Sequence, residues 1–97
     1  MPTYVALMSY TQKGIEEVKD APRRIDQAVK NLEAMGGKLT AFYSVMGEYD
    51  YVGIADAPSD EVAATFLLGL GAAGLVRTKT LRAFTREEFE QIVGNLP

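Results

Sequence analysis

Five tyrosines, ten basic and thirteen acidic side chains carry all the chemistry open to this 97-residue chain, because it holds no histidine and no cysteine. Without those two residue types there is no disulfide, no thiolate nucleophile and no cysteine zinc site, and the commonest general base, haem ligand and metal ligand is gone. Two constellations remain. The first is the run Gly47-Glu48-Tyr49-Asp50, set between two apolar stretches. Glycine and aspartate there favour a turn for local backbone reasons. The same turn offers backbone N–H groups and the Asp50 carboxylate to the charged ends of a small ligand, with Glu48 as a second acceptor. Two acids two residues apart are also a start for a hard cation, but such a site needs further oxygens that the neighbouring sequence does not supply.

The second constellation is Tyr4, Tyr43 and Tyr51 with Met8, Arg77 and Lys79. If they share a surface, tyrosines line a space suited to a flat or apolar ligand, and Arg77 or Lys79 pairs with an anionic group on it. A tyrosine beside Arg77 would also be a candidate proton donor or acceptor. The alternative is packing alone, since tyrosine is common in protein interfaces. Gly69, Gly71 and Gly74 do not form a phosphate loop, because they end a helix rather than open one after a strand. Arg82 and Arg86 are expected to form surface pairs with Glu87, Glu88 or Glu90.

The elements that must position these residues follow from periodicity. Thr3–Tyr10 is rich in β-branched and aromatic residues and predicts a strand, broken at Thr11–Gly14. Ile15 and Val18 begin a helix that Asp20-Ala21-Pro22 interrupts. Ile25, Ala28, Val29, Leu32 and Met35 then continue at helical spacing to the Gly36-Gly37 stop. Lys38–Met46 and Asp50–Ala55 predict two strands joined by a tight turn at Gly47–Asp50. Val62, Ala63, Phe66, Leu67 and Leu70 predict a second helix that opens near Pro58 and ends at Gly71 and Gly74. Leu75–Phe84 predicts the last strand. Thr85 with Glu88 makes a capping box for a final helix whose apolar side is Phe89, Ile92, Val93 and Leu96.

The order is β-α-β-β-α-β-α in one domain, residues 1–97. Tyr4-Val5-Ala6-Leu7 is echoed by Tyr51-Val52-Gly53-Ile54, and each is followed by a helix, a glycine stop and a strand. Two such β-α-β halves close into a ferredoxin-like α+β fold with an antiparallel sheet in the order 4-1-3-2.

Both faces of both central strands are apolar, and two helices cover only one face. We assign the aliphatic face (Val5, Leu7, Val52, Ile54), with Phe42, Val76, Thr78 and Thr80, to the helices. That leaves Tyr4, Met8, Tyr43, Tyr51, Arg77 and Lys79 facing a second layer. The simplest second layer is an identical subunit stacked sheet to sheet about a twofold axis.

Net charge is −3 with the signs interspersed, which argues against charge-driven nucleic-acid binding. No apolar run approaches a membrane span, and the N-terminus lacks the pattern of a signal peptide, so a cytoplasmic location is expected. No cofactor and no metal is implied.

The residues Gly47-Glu48-Tyr49-Asp50, with Gly74-Leu75-Val76-Arg77-Thr78-Lys79-Thr80-Leu81-Arg82-Ala83-Phe84-Thr85, resemble the small bacterial GYD-domain proteins over the whole length of the chain. That resemblance implies a dimeric α/β barrel and supplies no catalytic residues. A more distant similarity, at Gly47, Tyr49, Asp50, Thr78 and Thr80, is to the ligand-sensing domain of leucine- and asparagine-responsive regulators. It implies an amino-acid site near the hairpin turn, but the chain has no helix-turn-helix for reading DNA. The leading expectation is therefore a small-molecule-binding homodimer or higher oligomer, with its site in the dimer cavity or at the Gly47–Asp50 turn. The alternatives are a cofactor-independent barrel-cavity enzyme of oxygenase or isomerase type, and a ligand-free structural or regulatory oligomer.

Overall fold

Four antiparallel strands form one sheet in which the first and third in chain order are central and the second and fourth are the edges, as the two-halves reading expects. The computed structural model describes residues 1–97. The central strands are β1 (Thr3–Tyr10) and β3 (Tyr51–Asp56), and the edges are β2 (Lys38–Ser44) and β4 (Val76–Ala83). Helices α2 (Ala21–Ala34) and α3 (Asp60–Ala73) lie against one face, and α4 (Arg86–Gly94) closes the chain. This is the ferredoxin-like α+β architecture.

Local chemistry sets the element ends. Thr11, expected only to break the first strand, caps a short helix α1 (Gln12–Glu16): its Oγ1 accepts from the Gly14 N–H at 3.0 Å. A 3-10 turn at Val18–Asp20 then leads into α2, whose second residue is Pro22. That proline lacks an N–H that the first helical turn does not use. Ser59 caps α3 by accepting from Val62 N–H at 3.2 Å. The helix runs through Gly69 and Gly71 and stops at Gly74, whose φ of 79° is open mainly to glycine. Of the two glycines expected to end the helix, Gly74 does so and Gly71 lies within its last turn. Both halves of the Thr85–Glu88 capping box are formed. The Thr85 N–H held by the Glu88 carboxylate keeps that carboxyl below its ordinary pKa.

Register decides which residues share a face. Tyr4 is opposite Ala55 on β3 and Arg82 on β4; Ala6 is opposite Gly53 and Thr80; Met8 is opposite Tyr51 and Thr78. This row faces the helices: Tyr4, Met8 and Tyr51 are buried, and Tyr4 joins Ala57 and Ala63 in the core. The intervening row is Val5–Ile54–Leu81 and Leu7–Val52–Lys79, and it faces away. The assignment of the two central strands is thus the reverse of the sequence expectation. Tyr4, Met8 and Tyr51 lie beneath the helices, and Val5, Leu7, Val52 and Ile54 form the outer face. The reason is the reach of the side chains. Aromatic rings and methionine span the gap over a floor of Ala6, Gly53 and Ala55, and each buried phenol has a polar partner within the chain. The edge strands follow expectation, with Phe42, Val76, Thr78 and Thr80 on the helix side and Tyr43, Arg77 and Lys79 outside.

A register shift between Leu39 and Ala41 puts a bulge at Thr40 in β2. It lets Leu39 and Phe42, three residues apart, both face the helices. Phe42 then stacks at a tilt on Tyr51, with ring centres 5.0 Å apart.

The interior is lean. Only eight of 97 residues are buried, and Ile25, Val29, Phe66 and Leu70 on the inner sides of the helices stay half-buried. The radius of gyration is 14.7 Å, against about 12.5 Å for a compact chain of this length. Helix α4 contributes to that spread. It makes no substantial contact with any other element, and Phe89, Ile92, Val93 and Leu96 are exposed.

Candidate functional site

The loop between β2 and β3 is wider than the tight turn expected at Gly47–Asp50. It runs from Val45 to Asp50, closed at its base by a hydrogen bond from Val45 N–H to the Asp50 carbonyl at 2.9 Å. Gly47 sits at its tip with φ 110° and open space around it. Asp50 fastens the loop to the end of β1. Its N–H donates to the Met8 carbonyl at 2.8 Å, and its carboxylate accepts from Tyr10 N–H at 2.8 Å. This carboxylate replaces a sheet partner where the β1–β3 ladder ends. Glu48 is exposed, and no third carboxylate joins the two acids. Tyr49 folds toward the outer face, where the Lys79 ammonium stands 5.9 Å from its ring centre.

The ten residues singled out from sequence therefore fall into three places. Tyr4, Met8 and Tyr51 lie on the inner face. Tyr43, Tyr49, Arg77 and Lys79 lie on or beside the outer face. Gly47, Glu48 and Asp50 belong to the loop. The sheet itself separates the first group from the second, so the three tyrosines Tyr4, Tyr43 and Tyr51 do not line one space.

On the inner face a cavity of about 700 Å³ lies between the sheet and helices α2 and α3. Its floor is Ala6, Gly53 and Ala55; its walls include Ile25 and Val29 from α2 and Phe66 and Leu70 from α3. The small floor residues create depth, and the aromatic row holds the helices away. At one end the Tyr10 and Tyr51 hydroxyls are 2.7 Å apart, with the rings edge to face at 5.1 Å. Burial, reinforced by the Tyr10 hydrogen bond, raises the Tyr51 pKa well above its ordinary 10.0, so this phenol keeps its proton. At another point Tyr4 donates its hydroxyl to Asp60 at the start of α3. That hydrogen bond raises the Tyr4 pKa as well. Arg82 lies over the Tyr4 ring at 5.6 Å and over Phe84 at 4.8 Å, and its guanidinium reaches the Asp60 carboxylate at 3.9 Å. Arg82 thus pairs with Asp60, not with the glutamates of α4 as expected. Arg86 does pair within α4, with Glu90 at 3.2 Å.

Sequence reasoning passed over Tyr10 and Asp60 as site residues and gave Arg82 the wrong partner. Tyr10 has the same strand parity as Tyr4 and Met8, which is the signal that places it with them. Nothing local links Asp60 to Tyr4, 56 residues away.

The fold and the cavity define a small α+β protein with a four-stranded sheet, an apolar space beneath its helices and an uncovered outer face. The chain belongs to the GYD domain family, whose model matches residues 4–93. It is 36% identical over 84 residues to a Thermus thermophilus protein named "Glutamine synthetase and cystathionine beta-lyase binding protein", covering 86% of this chain and 88% of that one. Among solved structures it is similar to FFRP-DM1 (TM-score 0.56, 22% identity), covering 87% of this chain and all of that one. It is also similar to a hypothetical protein of Pyrococcus horikoshii (TM-score 0.55, 22% identity), covering 89% and 93% of the two chains. At that level of identity the structures share the fold. No helix is long and apolar enough to cross a membrane.

Proposed function

We propose that this protein is a self-associating binding module: two copies stack the outer faces of their sheets, and the assembly engages a partner protein. The observation that carries this reading is the outer face itself. Val5 and Leu7 on β1 sit opposite Ile54 and Val52 on β3, an aliphatic block at the centre of the sheet, with Leu81 and Tyr43 beside it. No element of the chain lies over this block, since both long helices are on the other side. A flat apolar face with cations Arg77 and Lys79 toward one end suits an isologous contact, in which the same patch is used twice. The apolar side of α4 is a second surface that needs another polypeptide.

The partner is argued from kinship. The Thermus relative carries a name that describes binding to glutamine synthetase and cystathionine beta-lyase, and over a third of the aligned residues are shared. We extend that kind of activity, the engagement of a metabolic enzyme, to this chain. Sedimentation of the full-length protein tests the first part. A dimer or larger species is expected, and it should dissociate in Leu7→Asp and Val52→Asp; a wild-type monomer at every concentration overturns the reading. Biolayer interferometry against purified glutamine synthetase and cystathionine beta-lyase tests the second. Saturable binding to either is expected, and failure to bind both removes the enzyme partner.

A further inference from the structure

We propose that the cavity between the sheet and helices α2 and α3 binds a neutral, largely apolar small molecule carrying a carbonyl or similar acceptor, held against the Tyr10–Tyr51 hydroxyl pair. This site is on the opposite side of the sheet from the self-association surface and goes beyond the function proposed above.

Size comes first. About 700 Å³ is within the range of sites that enclose a small organic molecule. The apolar inner sides of α2 and α3 line this space yet stay only half-buried, so the chain alone does not fill it. Empty apolar volume forfeits dispersion contacts, and a ligand restores them.

Polarity comes next. Of the 33 lining residues, 23 are hydrophobic, which selects an apolar body. The charged residues on the lining, Glu17, Arg23 and Arg24, are all engaged. Arg24 meets Glu17 at 2.8 Å and Asp20 at 3.1 Å, and Arg23 meets Asp20 at 2.6 Å. The Arg23 contact holds the Asp20 carboxyl below its ordinary pKa. The charges on the lining are thus already balanced within the chain, so a neutral ligand is favoured.

The hydroxyl pair supplies the remaining specificity. Two phenols hold two protons, and the hydrogen bond between them uses one. Whichever phenol donates, one O–H is left to give to an acceptor. The raised pKa of Tyr51 keeps the pair in this donating form. A ligand carbonyl at that end accepts the unused proton, while its apolar part rests on Ala6, Gly53 and Ala55.

The test uses Nile red, a neutral apolar dye with a carbonyl, on the full-length protein. Saturable binding at one dye per chain with a blue-shifted emission is expected. Gly53→Leu and Ala6→Leu, which fill the floor, should each weaken binding at least about tenfold. Amide chemical-shift mapping on the wild type should place the dye at Ala6, Gly53, Ala55 and α2, which keeps the test intact where a floor variant fails to fold. The double variant Tyr10→Phe with Tyr51→Phe, which removes both hydroxyls, should weaken Nile red several-fold and leave the carbonyl-free dye N-phenyl-1-naphthylamine unchanged. Leu7→Lys on the outer face should leave Nile red binding intact even where it abolishes self-association, so the two proposals fail separately. No saturable binding, shifts confined to the outer face or α4, or loss of binding in Leu7→Lys overturns the site. Equal effects of the double variant on the two dyes overturn the role of the hydroxyl pair.

Discussion

The two faces of the sheet are both apolar but are apolar in different ways. The inner face is built from Tyr4, Met8, Tyr10, Phe42 and Tyr51 over a floor of alanines and glycine, and its hydroxyls find partners within the chain. The centre of the outer face, Val5, Leu7, Val52 and Ile54, is built from short branched side chains that have no polar atom to satisfy and no layer above them. The inner face therefore satisfies its own polar ends and carries a layer of helices, whereas no element of the chain lies over the outer face. Hydrophobicity alone does not tell the two apart; the difference lies in where the polar ends of the large side chains go.

The sharpest way to break this comparison is to change one residue on each side. Tyr51→Ala removes a buried ring that touches Phe42 and Tyr10, and should cost about 3–5 kcal/mol in chemical denaturation. Leu7→Asp should leave the unfolding free energy of the isolated chain within about 1 kcal/mol, because surface substitutions are usually mild. Its loss should appear instead in sedimentation, as a weakening of self-association by about 30-fold or more, the scale of a central interface residue. If Tyr51→Ala disrupts assembly and Leu7→Asp unfolds the chain, the faces have been misassigned.

Asp50→Ala sharpens the comparison at the seam where the loop meets β1. It leaves the Tyr10 N–H without its acceptor and should cost about 2 kcal/mol. Hydrogen exchange should rise first at Tyr10 and in the Val45–Asp50 loop, before either face responds.

The smallest effect is one of pH. The folded pKa of Tyr51 is raised, so its contribution to stability is whole below pH 10.0, the ordinary value. As pH climbs past that point the unfolded chain ionises this phenol while the folded chain does not, and stability declines toward the folded pKa. Thermal unfolding of the wild type should show this decline above pH 10, and Tyr51→Phe should flatten part of it.

Much of the fold was legible because local signals were strong. The Thr85–Glu88 box, the Pro22 entry to α2, the Gly74 stop and the strand order all depend on residues close in sequence or on the repeat of a β-α-β unit. The faces of β1 and β3 were not legible from alternation, because Tyr-Val-Ala-Leu and Tyr-Val-Gly-Ile are apolar at every position. Register across to β4 would have settled the matter. Lys79 belongs outside, Leu7 is its partner, and partners share a face. The candidate site was half legible for the same reason. Tyr4, Met8 and Tyr51 were rightly grouped with one another, but were grouped with Tyr43, Arg77 and Lys79 across a sheet that separates them. Asp50 drew notice as a possible ligand group, yet its partner is a backbone N–H 40 residues away, which no local pattern reports. Gly14 reads from the sequence only as part of the break after β1, although a β-carbon there would stand 1.9 Å from the Leu75 carbonyl oxygen. The close approach of α1 to the start of β4 exists only in three dimensions.

The bulge at Thr40 reaches beyond the placement of Phe42. A sheet that is open at both edges can grow without limit, each new chain adding its strand to the last. Here the β2 edge is kinked and out of step at Thr40, with Lys38 at its start, whereas β4 offers eight unbroken residues. Any pairing of strands between copies would therefore be one-sided. Two copies joined along β4 would have used the only straight edge each possesses, and the growing end of a fibre would have nothing regular to template the next chain. A single extra residue thus leaves this sheet one regular edge in place of two.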